Sequence, residues 1–297
     1  MRFNDIYGGA KGPVISFEVF PPKTEQSEAR LDAALPKLRA LGPHFMTCTY
    51  GAGGSTRDKT LGIAARMKNE LGLEAACHLT CVGSSRAELR EMVGRITSAG
   101  LHNIVALRGD PPQGEKEFEP APDGLRYGNE LVELIRAAPG GDRIGIAVAG
   151  YPEKHLEAPD KATDMVNLKR KVGAGADAVI TQLFFDNDEF FSFRDEASKQ
   201  GIDVPIVPGL MPIQSAKQIQ RMAAMCGASI PGKLRRRLEM TTDDLPATRR
   251  LGAEYCLEQA QGLLEQGVSG IHFYVLNQAE QMEAIVSGLG PPSASRA

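Results

Sequence analysis

Residues 14–22 read Val14-Ile15-Ser16-Phe17-Glu18-Val19-Phe20-Pro21-Pro22. The first seven form a β-branched and aromatic run, and two prolines stop it, as expected of a buried strand. Glu18 breaks the pattern. A lone carboxylate in apolar surroundings is costly unless it is paired or neutralised, so a strand that carries one is expected to use it for proton transfer. The arrangement recurs along the chain. Further apolar runs occupy 45–50, 75–81, 103–109, 144–150, 178–185, 205–210 and 271–276, and most of them end in polar or ionisable residues. Between them lie stretches of helical period, such as Leu31, Leu35, Leu38 and Leu41, or Leu131, Leu134 and Ile135. Eight strands alternating with helices over about 250 residues predict an α/β fold, a single-domain (β/α)8 TIM barrel. A doubly wound open sheet is the competing arrangement.

The bulk properties narrow the class. The chain has 297 residues, 42% of them hydrophobic, and a net charge of −3. It lacks the basic footprint of a nucleic-acid binder. Five cysteines without a scaffold spacing fit a reducing compartment. Residues 1–12 lack a signal-peptide core, and no apolar run approaches the length of a membrane span. A cytoplasmic protein is expected. No linker divides the chain: residues 1–288 form the expected barrel, and the Gly-, Pro- and Ser-rich residues 289–297 a disordered tail. Residues 111–126 form a long polar loop. Residues 228–247 resemble a helical insertion whose basic cluster, Lys233 to Arg237, reads as solvated surface.

In a (β/α)8 barrel the chemistry lies at the carboxyl ends of the strands. Those ends supply Glu18, Thr49 with Tyr50, His78 with Thr80, Arg108-Gly109-Asp110, Tyr151 with Glu153 and His155, Gln182, and His272 followed by Asn277 and Gln278. Taken alone, His78 reads more readily as a core histidine than as a catalyst. Cys77 and Cys81 lie on the strand face opposite His78, so the three cannot share a metal ion, and no metal is expected. Residues 51–56 are either a phosphate-cradling turn or a plain connection. Residues 161–174 read as a helix with Asp164, Asn167 and Lys171 on one face and Arg170 beside them. That face is either a solvated surface or a row able to hold ribose hydroxyls and a pyrophosphate.

Seven ordered motifs resemble the 5,10-methylenetetrahydrofolate reductase family. They are Ser16 to Pro22, Thr49 to Ala52, His78 to Cys81, Ala106 to Asp110, Asn167 to Lys171, Thr181 to Asp186 and His272 to Tyr274. The resemblance implies a flavin-bearing barrel without a Rossmann domain. It implies a two-step hydride relay in which NADH or NADPH reduces FAD, and reduced FAD then reduces methylenetetrahydrofolate. Glu18 matches the family's general acid and Asp110 a carboxylate near flavin and folate. Gln182 matches a folate-binding amide, and Gln218 a second one. Thr49 lies near the nicotinamide in this reading, and Tyr50 and Ala52 line the flavin site. FAD would also contact His78, Arg108, Gly109, Asp110 and Tyr127. The remaining contacts are Gly128, Tyr151, His155, Ala158, Asp164, Asn167, Arg170 and Lys171. Gln278 stands at a substrate position where the family commonly has Arg, and Met222 where a bacterial relative has a stacking Phe. A C-terminal regulatory domain is not expected, and a homo-oligomer is. The apolar strand around Glu18 is expected to raise its pKa toward working pH.

Overall fold

The computed structural model describes residues 1–50, 56–111 and 118–290. Ala52 and most of the turn at 51–56 lie outside them, as do residues 112–117 of the polar loop and residues 291–297 of the tail. Eight strands form a closed barrel in sequence order. They are β1 (Val14–Val19), β2 (Phe45–Cys48), β3 (Glu74–Thr80), β4 (Asn103–Leu107), β5 (Gly145–Gly150), β6 (Ala178–Leu183), β7 (Ile206–Leu210) and β8 (Gly270–Tyr274). Every neighbouring pair is parallel, and β8 returns to β1. The barrel expectation therefore holds, and the open sheet is excluded.

The helices are α1 (Phe3–Gly9), α2 (Glu25–Ala40), α3 (Arg57–Asn69), α4 (Arg86–Ser98), α5 (Gly128–Ala137), α6 (Lys161–Gly173), α7 (Asn187–Lys199), α8 (Ala216–Cys226), α9 (Gly232–Glu239), α10 (Leu245–Glu265) and α11 (Glu280–Leu289). α9 is the helical insertion foreseen at 228–247. Leu31, Leu35 and Leu38 of α2, and Leu131, Leu134 and Ile135 of α5, are buried as their spacing requires. No helix among the described residues is long and apolar enough to cross a membrane.

The period-2 geometry of a strand sorts its side chains between two cores. On β1, Ile15, Phe17 and Val19 join the layer between barrel and helices, whereas Val14 joins the interior cluster. Ser16 and Glu18 share the inward face with Val14. On β3, Cys77 and Leu79 go outward, and Cys81 beyond its end follows them. This opposes them to His78, as the strand argument required.

The amino end of the barrel is stoppered by α1, which the sequence reading did not foresee. Phe3 and Ile6 pack with Val14, Phe45, Ala76 and Val105, and the Phe3 and Phe45 rings meet edge-on at 5.2 Å. β5 admits the helix because Gly145 has no side chain: a Cβ there would lie 2.7 Å from the Phe3 backbone nitrogen. Two apolar residues three apart are too faint a periodic signal to mark a helix. At the other end the ladders stop short of the sequence runs. Thr49, Tyr50, Arg108, Gly109, Phe184, Phe185, Val275 and Leu276 leave the sheet as connections at the mouth.

Replacing the fully buried Phe3 by Ala removes the centre of this stopper. A buried Phe→Ala change costs ~3–5 kcal/mol. Urea unfolding of F3A is expected to show a loss of that size.

Candidate active site

Glu18 occupies the inward face one residue before the end of β1, level with Thr47 on β2 and Tyr274 on β8. Its side chain is 14% exposed. Three groups converge on one carboxylate oxygen, Oε2. The Thr47 hydroxyl donates from 3.1 Å, His272 Nε2 lies 3.2 Å away, and His78 Nε2 lies 3.1 Å away. The His78 contact is close but poorly aligned, and its buried Nε2 makes no hydrogen bond. Among the described residues, Oε1 has no hydrogen-bond partner.

His272 is fully buried, and its Nδ1 lies 2.8 Å from Ser16 Oγ. Ser16 has a second, longer partner, Ile271 O at 3.4 Å. A serine hydroxyl can rotate between donor and acceptor roles. If Ser16 donates to Nδ1, neutral His272 presents Nε2–H to an ionised Glu18. If Ser16 accepts from Nδ1, the proton at the Glu18–His272 contact must come from the carboxyl or from a charged imidazole. The chain Ser16–His272–Glu18 thus accommodates three proton arrangements with the same heavy atoms. Ser16 and Thr47 were missed from the sequence. They are short hydroxyls inside strands, and only the register aligns them with Glu18.

One expectation is corrected here. Burial does push the Glu18 carboxyl upward, but the nearby charges of His78 and His272 and the His272 hydrogen bond outweigh it. Together they hold the group down at about 2. The strand sequence shows only the apolar half of that balance.

The remaining mouth residues surround a cavity of about 390 Å³. Thr49, Tyr50 and His78 line one side, Arg108, Gly109 and Asp110 the next, then Tyr151 and His155, with Gln182 opposite. Gly109 has φ +88°, and a Cβ there would lie 2.8 Å from Val82. Glycine thus permits the turn that sets Asp110 at the rim. The β6 register shifts between Ile180 and Leu183, where Gln182 sits. Its carbonyl accepts from Leu183 N at 2.9 Å, which leaves the amide NH2 for a ligand. Met222 and Cys226 of α8 also line the cavity, and burial with the Asp110 charge pushes the Cys226 thiol up to about 11.

A second cavity of about 410 Å³ continues outward between α5 and α6. It shares Arg108, Tyr151 and His155 with the first and adds Tyr127, Gly128 and Ala158. Asp164, Asn167, Arg170 and Lys171 of α6 form its wall. Asp160 caps that helix by accepting from Thr163 N at 2.7 Å. Asp164 accepts from His155 N at 2.9 Å, and Arg170 donates to Asn167 at 3.0 Å. Lys171 bonds Ala149 O and lies 5.5 Å from the Tyr151 ring centre; burial brings its pKa down to about 8.

Gln218 and Gln278 line neither cavity. Gln218 accepts from Gln214 N at 3.1 Å, and Gln278 N donates to Val275 O at 2.9 Å. Asn277 is instead the structural residue of that turn. It adopts φ +56° and bonds both Phe20 N and Phe20 O at 2.9 Å, tying the end of β8 to the exit of β1.

Fold and site together define a (β/α)8 barrel with a buried acid–histidine cluster at its mouth and a cation-lined cleft beside it. Comparison with known proteins gives that class a family. The family model described as methylenetetrahydrofolate reductase matches residues 2–290. The 5,10-methylenetetrahydrofolate reductase of Escherichia coli (strain K12) is 40% identical over 276 residues, covering 93% of this chain and 90% of that one. Methylenetetrahydrofolate reductase (NADH) 1 of Arabidopsis thaliana is 41% identical over 284 residues; the chain spans 48% of its length. This chain belongs to the methylenetetrahydrofolate reductase family. Among solved structures, an uncharacterized protein from Clostridium thermocellum that binds two copies of 5-methyl-5,6,7,8-tetrahydrofolic acid aligns with TM-score 0.64 at 16% identity, over 97% of each chain. That likeness speaks for the fold.

Because the folded carboxyl sits at about 2 against an ordinary 4.5, Glu18 contributes stability that is present above pH 4.5 and is lost as the pH falls toward 2. The shift corresponds to ~3 kcal/mol. Wild type is expected to lose about that much more than E18Q between pH 5 and pH 2, read by urea unfolding across the series.

Proposed function

We propose that this chain reduces 5,10-methylenetetrahydrofolate to 5-methyltetrahydrofolate, with FAD as cofactor and NADH or NADPH as electron donor. The observation that carries the reading is the Glu18 cluster facing a ligand-sized cavity in a chain of this family. FAD fits the residues present. His78 lines the inner cavity, and the outer cavity offers Arg108, Arg170 and Lys171 to phosphates and Asp164 and Asn167 to hydroxyls. The helix row at 161–174 thereby gains a ligand. Bound FAD would carry hydride from NADH or NADPH to the folate, the redox chemistry that the protein's own side chains lack.

The protein supplies proton, charge and orientation. The bridging carbon of the folate is unreactive while its five-membered ring is closed. Protonation of a ring nitrogen by Glu18 opens the ring to an iminium cation, the species able to accept hydride. At rest the histidines keep Glu18 ionised. A ligand filling the cavity excludes water, strengthens the burial effect and shifts the proton toward the carboxyl. A His272 imidazole that carries both ring protons can pass the one on Nε2 to Oε2 and remain neutral, with Ser16 turned to accept from Nδ1. Asp110 favours the developing cation by charge, and the free amide hydrogens of Gln182 orient the pterin. We place the reaction in the cytoplasm, in a homo-oligomer, upstream of methionine synthesis.

E18Q is expected to bind flavin and to be reduced by NADH at the normal rate, but to lose 10²–10⁴-fold in folate turnover, the usual worth of a general acid. Stopped-flow measurement of the two half-reactions decides it: an unchanged folate step would remove Glu18 from the acid role. D110N is expected to slow the folate step and alter the flavin potential, which a spectroscopic redox titration reads.

A further inference from the structure

The two cavities meet at Arg108, and Arg108 already has an anion. Its guanidinium takes the Glu157 carboxylate in two parallel bonds, Nη1 to Oε2 at 2.5 Å and Nη2 to Oε1 at 2.6 Å. Its Nε is spent on Gly109 O at 3.2 Å, and the guanidinium carbon lies 4.9 Å from the Phe118 ring centre. The arginine is held on every side. This paired geometry is also the one in which a guanidinium grips a phosphate. The other cations of the outer cavity are engaged more weakly or elsewhere: Arg170 holds the neutral Asn167, and Lys171 a backbone carbonyl.

Glu157 is the more exposed partner. Its side chain is 53% exposed, against 19% for Arg108. It lies in the connection from β5 to α6, where Lys154 holds a backbone φ of +126° and its ammonium ties down His155 O and Ala158 O. The backbone on both sides of Glu157 is thus tied down by hydrogen bonds, and its side chain has solvent on one side into which a rotation would carry it.

We propose that Glu157 is a built-in competitor for the phosphates of the cofactor. It occupies the Arg108 fork and must rotate out for a dinucleotide to use it, so it sets how tightly flavin is retained. This rests on the reading that FAD spans both cavities. The same pairing keeps Arg108 ordered, so the competitor also pre-organises the fork that it vacates.

The test is titration of flavin-free protein, followed by quenching of ligand fluorescence. FAD is the ligand and riboflavin, which has no phosphate, is the control. E157Q is expected to bind FAD about fivefold more tightly, in line with release of a partly exposed ion pair, with riboflavin affinity unchanged. E153Q neutralises a nearby carboxylate that is engaged with Ser229 and is expected to leave FAD affinity as it is. An equal gain in E153Q would reduce the effect to net charge and overturn the proposal. R170A separates the two layers of the argument. If R170A weakens FAD but E157Q changes nothing, competition by Glu157 is wrong and the cavity assignment stands. If neither substitution affects FAD, the cavity assignment fails, and the competitor with it.

Discussion

The pairing of β8 with β1 is the contact on which the rest depends. It brings residues 14–18 into register with residues 270–274, and with them the Glu18 carboxylate to the ring of His272. Without closure the two groups belong to opposite ends of the chain. With it, Thr47 from β2 and His78 from β3 complete a cluster drawn from four strands. Backbone hydrogen bonding positions every member, so the geometry does not rely on flexible loops. Asn277 reinforces the seam from the far side, bonding both polar backbone groups of Phe20.

Closure also explains the electrostatics. A carboxylate on an isolated apolar strand would be driven toward its neutral form. In the barrel, the same burial that penalises the charge brings two imidazoles within 3.2 Å of it. Desolvation and pairing pull in opposite directions, and pairing wins. Such a balance responds to anything that fills the cavity, since removing water strengthens one side of it. The outer cleft shows the same economy: a lysine is buried enough to lose basicity, and an arginine is paired with a carboxylate.

Much of this was legible in residues 14–22 and their echoes. Apolar runs separated by stretches of helical period point to the barrel, because those patterns are local, and they leave the open sheet as its competitor until closure decides between them. The rule that polar residues at strand ends gather at one mouth brings Glu18, Asp110 and Gln182 together, whereas the α6 row joins them only through the family resemblance. What remained hidden depends on neighbours across the sheet. Ser16 and Thr47 are unremarkable in the chain and become partners of the acid cluster only through register. The depressed Glu18 pKa has the same origin. Gln278 shows the converse: its position after β8 suggested a ligand contact, yet the left-handed turn at Leu276 and Asn277 leaves it off the cavity wall. Helix α1 escaped notice because a stopper needs only two apolar side chains.

That stopper has a consequence for traffic. With Phe3 and Ile6 filling the far end of the barrel, whatever reaches Glu18 has to come in through the mouth and go out the same way. A room with one door and one floor cannot seat two bulky guests side by side, so a nicotinamide and a pterin bound for the same spot would have to take turns. Sealing the base of the barrel thus leaves its top as the side from which ligands come and go, which suits the relay proposed above.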